Sequence, residues 1–243
     1  MKGLVLAGGR GARLRPYTSV LPKPLMPVGD YPILEILLRQ LSRAGVTDVT
    51  LAVGYMSELL RSFFADGSRL GMNIGYSFEE KPLGTAGPIA AVIDSLGENF
   101  IVTNGDLLTT LDFRAMYDHH CRTEADATIS LYTREVNIDF GVLGLDEHDQ
   151  LETYTEKPSY KFDVSMGVNI LRAATVRRYL EPDTYLDIPD LMRRLVADGH
   201  KVLGYRSDCY WLDIGRFDDY QLATTVFDER RDEFLPPLPG RSG

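Results

Sequence analysis

A chain of 243 residues, 44% hydrophobic and 25% charged, carries enough apolar side chains for one well-filled globular domain and is not disordered or fibrous in composition. Its formal net charge of -9 argues against non-specific nucleic-acid binding over a broad basic surface, so an anionic ligand has to be met by a local cluster of cations. Cys121 and Cys209 have no metal-like spacing and are expected to be buried thiols, while the absence of a signal-peptide core or a long apolar span predicts a soluble, cytoplasmic protein without a membrane partner.

Residues 3–7 (GLVLA) form a short apolar run ended by glycines, which predicts a strand buried on both faces and followed by a loop. Residues 33–44 place apolar side chains at helical spacing, with Gly45 as the stop. A strand at 49–53, a helix at 58–64 and a strand at 72–78 follow. The alternation continues with a helix at 86–96, a strand at 100–103, a helix at 113–121 and a strand at 127–132. This βα order predicts a mostly parallel sheet covered by helices on both faces.

Between about 140 and 171 the pattern changes to short extended stretches (FGVLGL, LETYTEK, VSMGVNIL) separated by polar turns, which predicts antiparallel additions to the sheet. Helices at 175–179 and 188–197, strands at 201–205 and 210–213, and a helix at 217–228 complete the core; PPLPGRSG at the end is expected to be a loose tail. One domain is expected over residues 1–230, in two parts, 1–132 and 133–230, followed by a tail at 231–243.

In open α/β sheets ligands bind beyond the carboxyl ends of the strands. That rule selects the loops at 7–15, 104–106 and 213–215. The first of them, AGGRGARLRP, combines three glycines with three arginines. Glycine lets backbone N–H groups approach a ligand closely, and the arginine fork matches phosphate oxygens. The loop fits neither the P-loop order nor G-x-G-x-x-G, and alone it is weak evidence, as readable as a tight connection as it is as a ligand cradle. Pro22-Lys23-Pro24 follows, a lysine on stiffened backbone, and the combination favours a polyphosphate ligand.

GLVLAGGRGARLRPYT and LPKPLMPVGDYPIL resemble the signature of the sugar-1-phosphate nucleotidylyltransferases, written GGxGTRLxP and PKP. PLGTAG at 82–87, NGD at 104–106, FGV at 140–142, EKP at 156–158 and WLDIG at 211–215 match in order, over about residues 1–225. Ala12 departs from the threonine often found in the family. This removes a hydroxyl but leaves the backbone N–H.

The resemblance implies a three-layer α/β/α nucleotide-diphospho-sugar transferase fold, with a mostly parallel Rossmann-like sheet and a small antiparallel sugar-side extension. It also implies in-line attack by the phosphate of a sugar 1-phosphate on the α-phosphorus of a nucleoside triphosphate, with pyrophosphate leaving. A phosphate monoester has a second pKa of about 6, so this nucleophile needs no general base. The four histidines, His119, His120, His148 and His200, fall in no motif and are expected at the surface.

By the same resemblance, Gly8, Gly9, Gly11 and Ala12 cradle the triphosphate, Arg13 contacts the departing phosphates, and Lys23 sits between the α-phosphate and the sugar phosphate. Asp106 and Asp213 are the expected Mg²⁺ ligands, a carboxylate pair suited to a cation completed by phosphate oxygens and water. The base is expected against Leu6, Ala7 and Gly8 and the loop carrying Glu80, Pro82, Gly84 and Thr85, with Gly105 nearby. The sugar side should use Gly141, Glu156, Lys157 and Asn169.

The PLGTAG wording is most like that of mannose-1-phosphate guanylyltransferases and their heptose-1-phosphate relatives, so GTP is the expected triphosphate. The alternatives are dTTP, CTP, UTP or ATP with glucose-like, aminosugar or cyclitol phosphates, or a noncatalytic nucleotide-sugar sensor. A homo-oligomer is the default expectation.

Overall fold

A computed structural model describes residues 1–235; the expected tail at 236–243 lies outside the described residues. In chain order the elements are β1 (Lys2–Leu6), the short pair β2 (Pro27–Val28) and β3 (Tyr31–Pro32), α1 (Ile33–Arg43), β4 (Asp48–Val53), α2 (Ser57–Phe64), β5 (Asn73–Phe78), α3 (Ile89–Val92), β6 (Asn99–Asn104), β7 (Leu107–Thr109) and α4 (Phe113–Thr123). Then come β8 (Ala127–Asn137), β9 (Val142–Leu145), β10 (Leu151–Thr155), β11 (Ser159–Arg172), α5 (Ala173–Val176), α6 (Ile188–Ala197), β12 (Val202–Arg206), β13 (Trp211–Asp213), α7 (Phe217–Glu229) and α8 (Arg231–Phe234).

Seven strands form the central sheet in the order β12-β8-β11-β6-β1-β4-β5. Every pairing is parallel except those of β11, which runs antiparallel to β6 and β8. Strands covered on both sides explain the continuous apolar runs. On one face Val5, Leu51, Ile101 and Ile170 pack with Leu37 and Leu41 of α1, Phe64 of α2 and Met116 of α4. On the other, Leu4, Ala52, Val102 and Leu171 pack with Ile89 of α3 and Leu191 and Leu195 of α6. The result is the expected three-layer α/β/α arrangement. A third cluster joins Leu14, Met26, Val28 and Ile214 to Phe227 of α7, and so ties the glycine loop to the end of the chain.

The chain leaves β1 toward β4 and β5, then crosses back so that β6 lies on the other side of β1. The carboxyl end of β1 is therefore the point where strand order reverses, the place where open α/β sheets bind ligands. The antiparallel extension is also present: β8 runs to Asn137, beyond the expected 132, and pairs with the 14-residue β11, while β9 and β10 form a separate two-stranded sheet.

Several local expectations need correction. The helix expected at 86–96 shrinks to α3 and a 3-10 turn, Ile93–Ser95: Ala86 and Gly87 are bound to the carbonyl of Leu186 ahead of it, and the amides of Ile89 and Ala90 bond three residues back, to Ala86 O and Gly87 O, a tighter turn than an α-helix. The helix expected at 175–179 is α5 followed by a 3-10 turn. Cys121 is exposed and Cys209 only half-buried, so neither is a fully buried thiol.

His120 is completely buried rather than superficial. Its Nε2 lies 3.1 Å from Asn99 Oδ1 and its Nδ1 2.9 Å from the Thr128 hydroxyl, partners that suit a neutral ring; burial lowers its pKa to about 4. The ordered chain also passes the expected boundary at 230, since Phe234 of α8 is buried against Phe227 and Tyr210.

Candidate functional site

The glycine loop follows β1 and is fixed by backbone on both sides: Ala7 N–H donates to Ala52 O and Gly105 N–H to Leu6 O. Gly11 has φ 58°, a left-handed conformation that favours glycine, and begins a 3-10 turn at Ala12–Leu14. A Cβ there would lie 2.9 Å from Thr18 Cγ2 and 3.1 Å from Lys23 Cβ, while the Thr18 hydroxyl donates to the Gly11 carbonyl. Gly9 is different: nothing lies within 4 Å of a Cβ built on it, so its small size leaves open space above the loop. Leu14 anchors the turn in the third core cluster, and Arg10, Ala12 and Arg13 face solvent.

Lys23 is only 9% exposed, yet its ammonium group reaches Asp106, with which it forms an ion pair. Asp106 follows β6, and the preceding Gly105 packs closely against β1, where a Cβ would sit 3.0 Å from Leu6 O. Asp213 ends β13, which pairs with β7 so that Asp213 lies opposite Leu107; Ile214 N–H also donates to Asp106 O. A short antiparallel pair thus brings together two aspartates more than a hundred positions apart in sequence.

Asp213 is open to solvent on one side, but its carboxyl pKa is raised, first by partial desolvation against the cleft wall and then by the negative charge of Asp106. Lys23 and Arg13 pull the other way. A methyl group on Gly215 would lie 3.5 Å from Asp213 Oδ2 and 3.6 Å from both Arg13 Nη1 and Asp219 Oδ2. The arginine of the glycine loop and the aspartate of WLDIG therefore converge on one glycine. Among the described residues no three His, Cys, Asp or Glu side chains cluster as a metal cage, so a cation on Asp106 and Asp213 would need ligands from elsewhere, which is the donor pattern of Mg²⁺ bound to phosphates.

On the base side, Glu80 and Pro82 are exposed, and it is the neighbouring Glu79 that turns inward. A Cβ on Gly8 would be 3.2 Å from Glu79 Oε1, and Glu79 Oε2 accepts from Leu83 N–H. Burial raises the pKa of Glu79. Sequence reasoning passed it over because two adjacent carboxylates at a strand end carry no periodicity to tell them apart. Gly84 has φ 77° and packs against Leu186 O, while the amide and hydroxyl of Thr85 both bond to Asp187 rather than facing the cleft.

The sugar-side candidates lie on the antiparallel extension. Gly141 packs against Tyr154, whose hydroxyl donates to Glu156 Oε2 at 3.3 Å, and a Cβ at Gly141 would come within 2.5 Å of that hydroxyl. Glu156 and Lys157 are exposed, Lys157 with φ 45°. Asn169 is not on this surface: it is 3% exposed within β11, between β6 and β8, and its Oδ1 has no hydrogen-bond partner. This stretch of β11 is covered on both faces of the sheet, so Val168 and Ile170, which point the other way, are buried as well.

Between these two sides β11 bulges, its register with β8 shifting between Ser165 and Asn169, and Gly167 (φ 76°) admits the side chain of Asn104. The Trp211 indole N–H donates to Met166 O and the Ser130 hydroxyl to Val168 O, which satisfies the carbonyls of the bulge.

The chain resembles known proteins in sequence and fold. The family model described as nucleotidyl transferase covers residues 2–229. A mannose-1-phosphate guanylyltransferase of Mycobacterium tuberculosis is 34% identical over 221 residues, 89% of this chain and 62% of that protein. A D-glycero-alpha-D-manno-heptose 1-phosphate guanylyltransferase of Aneurinibacillus thermoaerophilus is 32% identical over 92% of this chain and 96% of its own length.

Among solved structures, a putative glucose-1-phosphate thymidylyltransferase from Bacillus anthracis, in complex with a sucrose, superposes with a TM-score of 0.76 at 26% identity, covering 93% of this chain and 94% of that one. The chain thus spans about three fifths of the mannose-1-phosphate relative and nearly all of the heptose-1-phosphate one. With its glycine loop, Lys23, Asp106 and Asp213 gathered where the strand order of the sheet reverses, this chain belongs to the nucleotidyl transferase family.

Proposed function

We propose that the protein transfers a nucleotidyl group from a nucleoside triphosphate to a sugar 1-phosphate and releases pyrophosphate. The observation that carries this reading is the convergence of Arg13, Lys23, Asp106 and Asp213 beside a glycine loop, with no histidine or cysteine among them. Such a site holds anions and neutralises charge; it is not built to move protons. That suits a phosphate nucleophile, which is largely ionised at neutral pH with a second pKa of about 6.

In this reading the loop amides and Arg13 hold the β- and γ-phosphates that leave. Lys23, already aimed at Asp106, offsets the repulsion between the α-phosphate and the incoming sugar phosphate. Asp106 and Asp213 would hold Mg²⁺, whose charge, when bound, stabilises the phosphate oxygens. The sugar ring lies against Gly141, Glu156 and Lys157. Asn169 is left without a direct contact, given its burial.

The finer reading is guanylyl transfer onto a mannose- or heptose-type phosphate. Glu79 supports it: a half-buried carboxylate beside Gly8 offers two acceptor oxygens, and guanine presents adjacent N–H donors on its edge. The names of the two guanylyltransferase relatives agree. The test is a matrix of five nucleoside triphosphates against mannose, heptose, glucose and aminosugar 1-phosphates, read by pyrophosphate release with Mg²⁺. GTP with mannose or heptose 1-phosphate is expected to be turned over fastest. Preference for another triphosphate would overturn the guanylyl reading, and no release with any pair would leave a noncatalytic nucleotide-sugar binder.

A further inference from the structure

The loop at 83–87 is held by a segment about a hundred residues later in the chain. Leu186 N–H donates to Leu83 O, while the amides of Ala86 and Gly87 both donate to Leu186 O. The two segments touch so closely that a Cβ on Gly84 would be 2.5 Å from Leu186 O, and one on Gly87 2.7 Å from Thr184 O.

At the end of this contact stands Asp187, at the N-cap of α6. An aspartate there ordinarily accepts an N–H from the first turn of its own helix. Asp187 makes no such cap bond. Its Oδ1 instead accepts from Thr85 N–H (3.0 Å) and from the Thr85 hydroxyl (3.1 Å), and its Oδ2 from the Tyr185 hydroxyl (2.7 Å). The Thr85 hydroxyl in turn accepts from Ile188 N–H at 2.8 Å, so it caps α6 from outside. Loop and helix have exchanged their caps.

We infer that Asp187 is a positioning residue for the nucleotide, a carboxylate anchor that locks the 83–87 loop through Thr85 in the conformation that receives the base. This rests on the reading of that loop as the base-side wall. An anchor that only stabilised α6 would sit on its own helix's amides. An anchor that reaches across to a loop amide and hydroxyl fixes the loop, and the same loop is tethered at its other end by Leu83 N–H to Glu79, beside Gly8. Pre-ordering of this kind lowers the cost of binding without touching the reacting atoms.

The test compares wild type, Asp187→Ala and Asp187→Glu by calorimetric GTP binding, by steady-state kinetics with GTP and mannose 1-phosphate, and by hydrogen exchange of the loop. For Asp187→Ala, loss of charge-assisted bonds should weaken GTP binding about tenfold, with kcat and the sugar-phosphate KM changed by less than about twofold. Exchange at Thr85 and Ile188 should quicken, and Asp187→Glu, which keeps a carboxylate, should recover part of the affinity. In a double-mutant cycle with Thr85→Val, the two losses should be less than additive.

Unchanged GTP affinity despite faster exchange would overturn the inference, as would a shift in the sugar-phosphate KM alone or full additivity in the cycle. A wild-type chain that binds no nucleoside triphosphate would instead overturn the reading on which the inference rests.

Discussion

The phosphate side of the cleft and its sugar side are built on opposite plans. On the phosphate side Lys23 is nearly buried, Asp106 follows a central strand, and Asp213 is registered by β-pairing to β7, with Arg13 reaching in from an exposed turn. On the sugar side Glu156 and Lys157 stand on an exposed extension, where Phe140 is 76% and Tyr154 62% exposed. An in-line phosphoryl displacement needs one fixed geometry, whereas the choice of sugar can be altered by changing a peripheral arm. In the proposed reading the molecule thus separates chemistry from specificity.

This contrast breaks most readily at Lys23. Lys23→Ala removes the cation proposed to lie between the reacting phosphates and leaves Asp106 without its partner; kcat should fall by roughly 10²–10³-fold. A rise in the sugar-phosphate KM alone, seen in initial-rate kinetics, would move Lys23 from the chemical side of the contrast to the binding side.

Next in size is the acid response of the buried His120. Its folded pKa of about 4 lies below the ordinary 6.5, so the unfolded chain binds more protons between these values and stability falls as pH drops from 6.5 to 4. The loss should approach about 3 kcal/mol below pH 4. Urea midpoints across this range should slope less steeply in His120→Gln; an identical slope in both proteins would remove His120 as the cause.

Two glycines sharpen the comparison within the phosphate side itself. Gly11→Ala places a Cβ at positive φ and 2.9 Å from Thr18, and should cost about 1–2 kcal/mol in thermal unfolding. Gly9→Ala meets open space, so stability should change by less than about 0.5 kcal/mol while the triphosphate KM rises. If the two variants lost equal stability, the loop would not be organised as described. On the sugar arm, Glu156→Gln should raise the sugar-phosphate KM about tenfold with stability unchanged. An altered triphosphate KM would show that the two sides are not separate.

Much of this was legible in the sequence. The uninterrupted apolar runs of β1, β4 and β6 and the helical spacing of α1 and α6 gave the layers, because strands buried on both faces and amphipathic helices leave strong periodic signals. GGRGAR, PKP, NGD and WLDIG pointed to the residues that the fold then brings together. What escaped was set by tertiary contact. Nothing local says that Glu79 rather than Glu80 turns toward Gly8, or that Asp187 bonds to Thr85 instead of capping α6. Asn169 looked polar and available, but its strand lies in mid-sheet with both faces covered, and His120 sits on the inner face of α4 where Thr128 and Asn99 satisfy its ring. The start of α3 was hidden for the same reason: Ala86 and Gly87, expected inside the helix, are bound to Leu186 ahead of it.

The juxtaposition of Asp106 and Asp213 at the end of the β7–β13 ladder is the centre of the account, and one measurement addresses it directly: Mg²⁺-dependent pyrophosphate release from GTP and mannose 1-phosphate by wild type, Asp106→Asn and Asp213→Asn, with circular dichroism to verify folding. Each variant should keep its fold and lose more than about 10²-fold in turnover at every Mg²⁺ concentration. Ordinary metal-dependent turnover in both variants would contradict the two-carboxylate site.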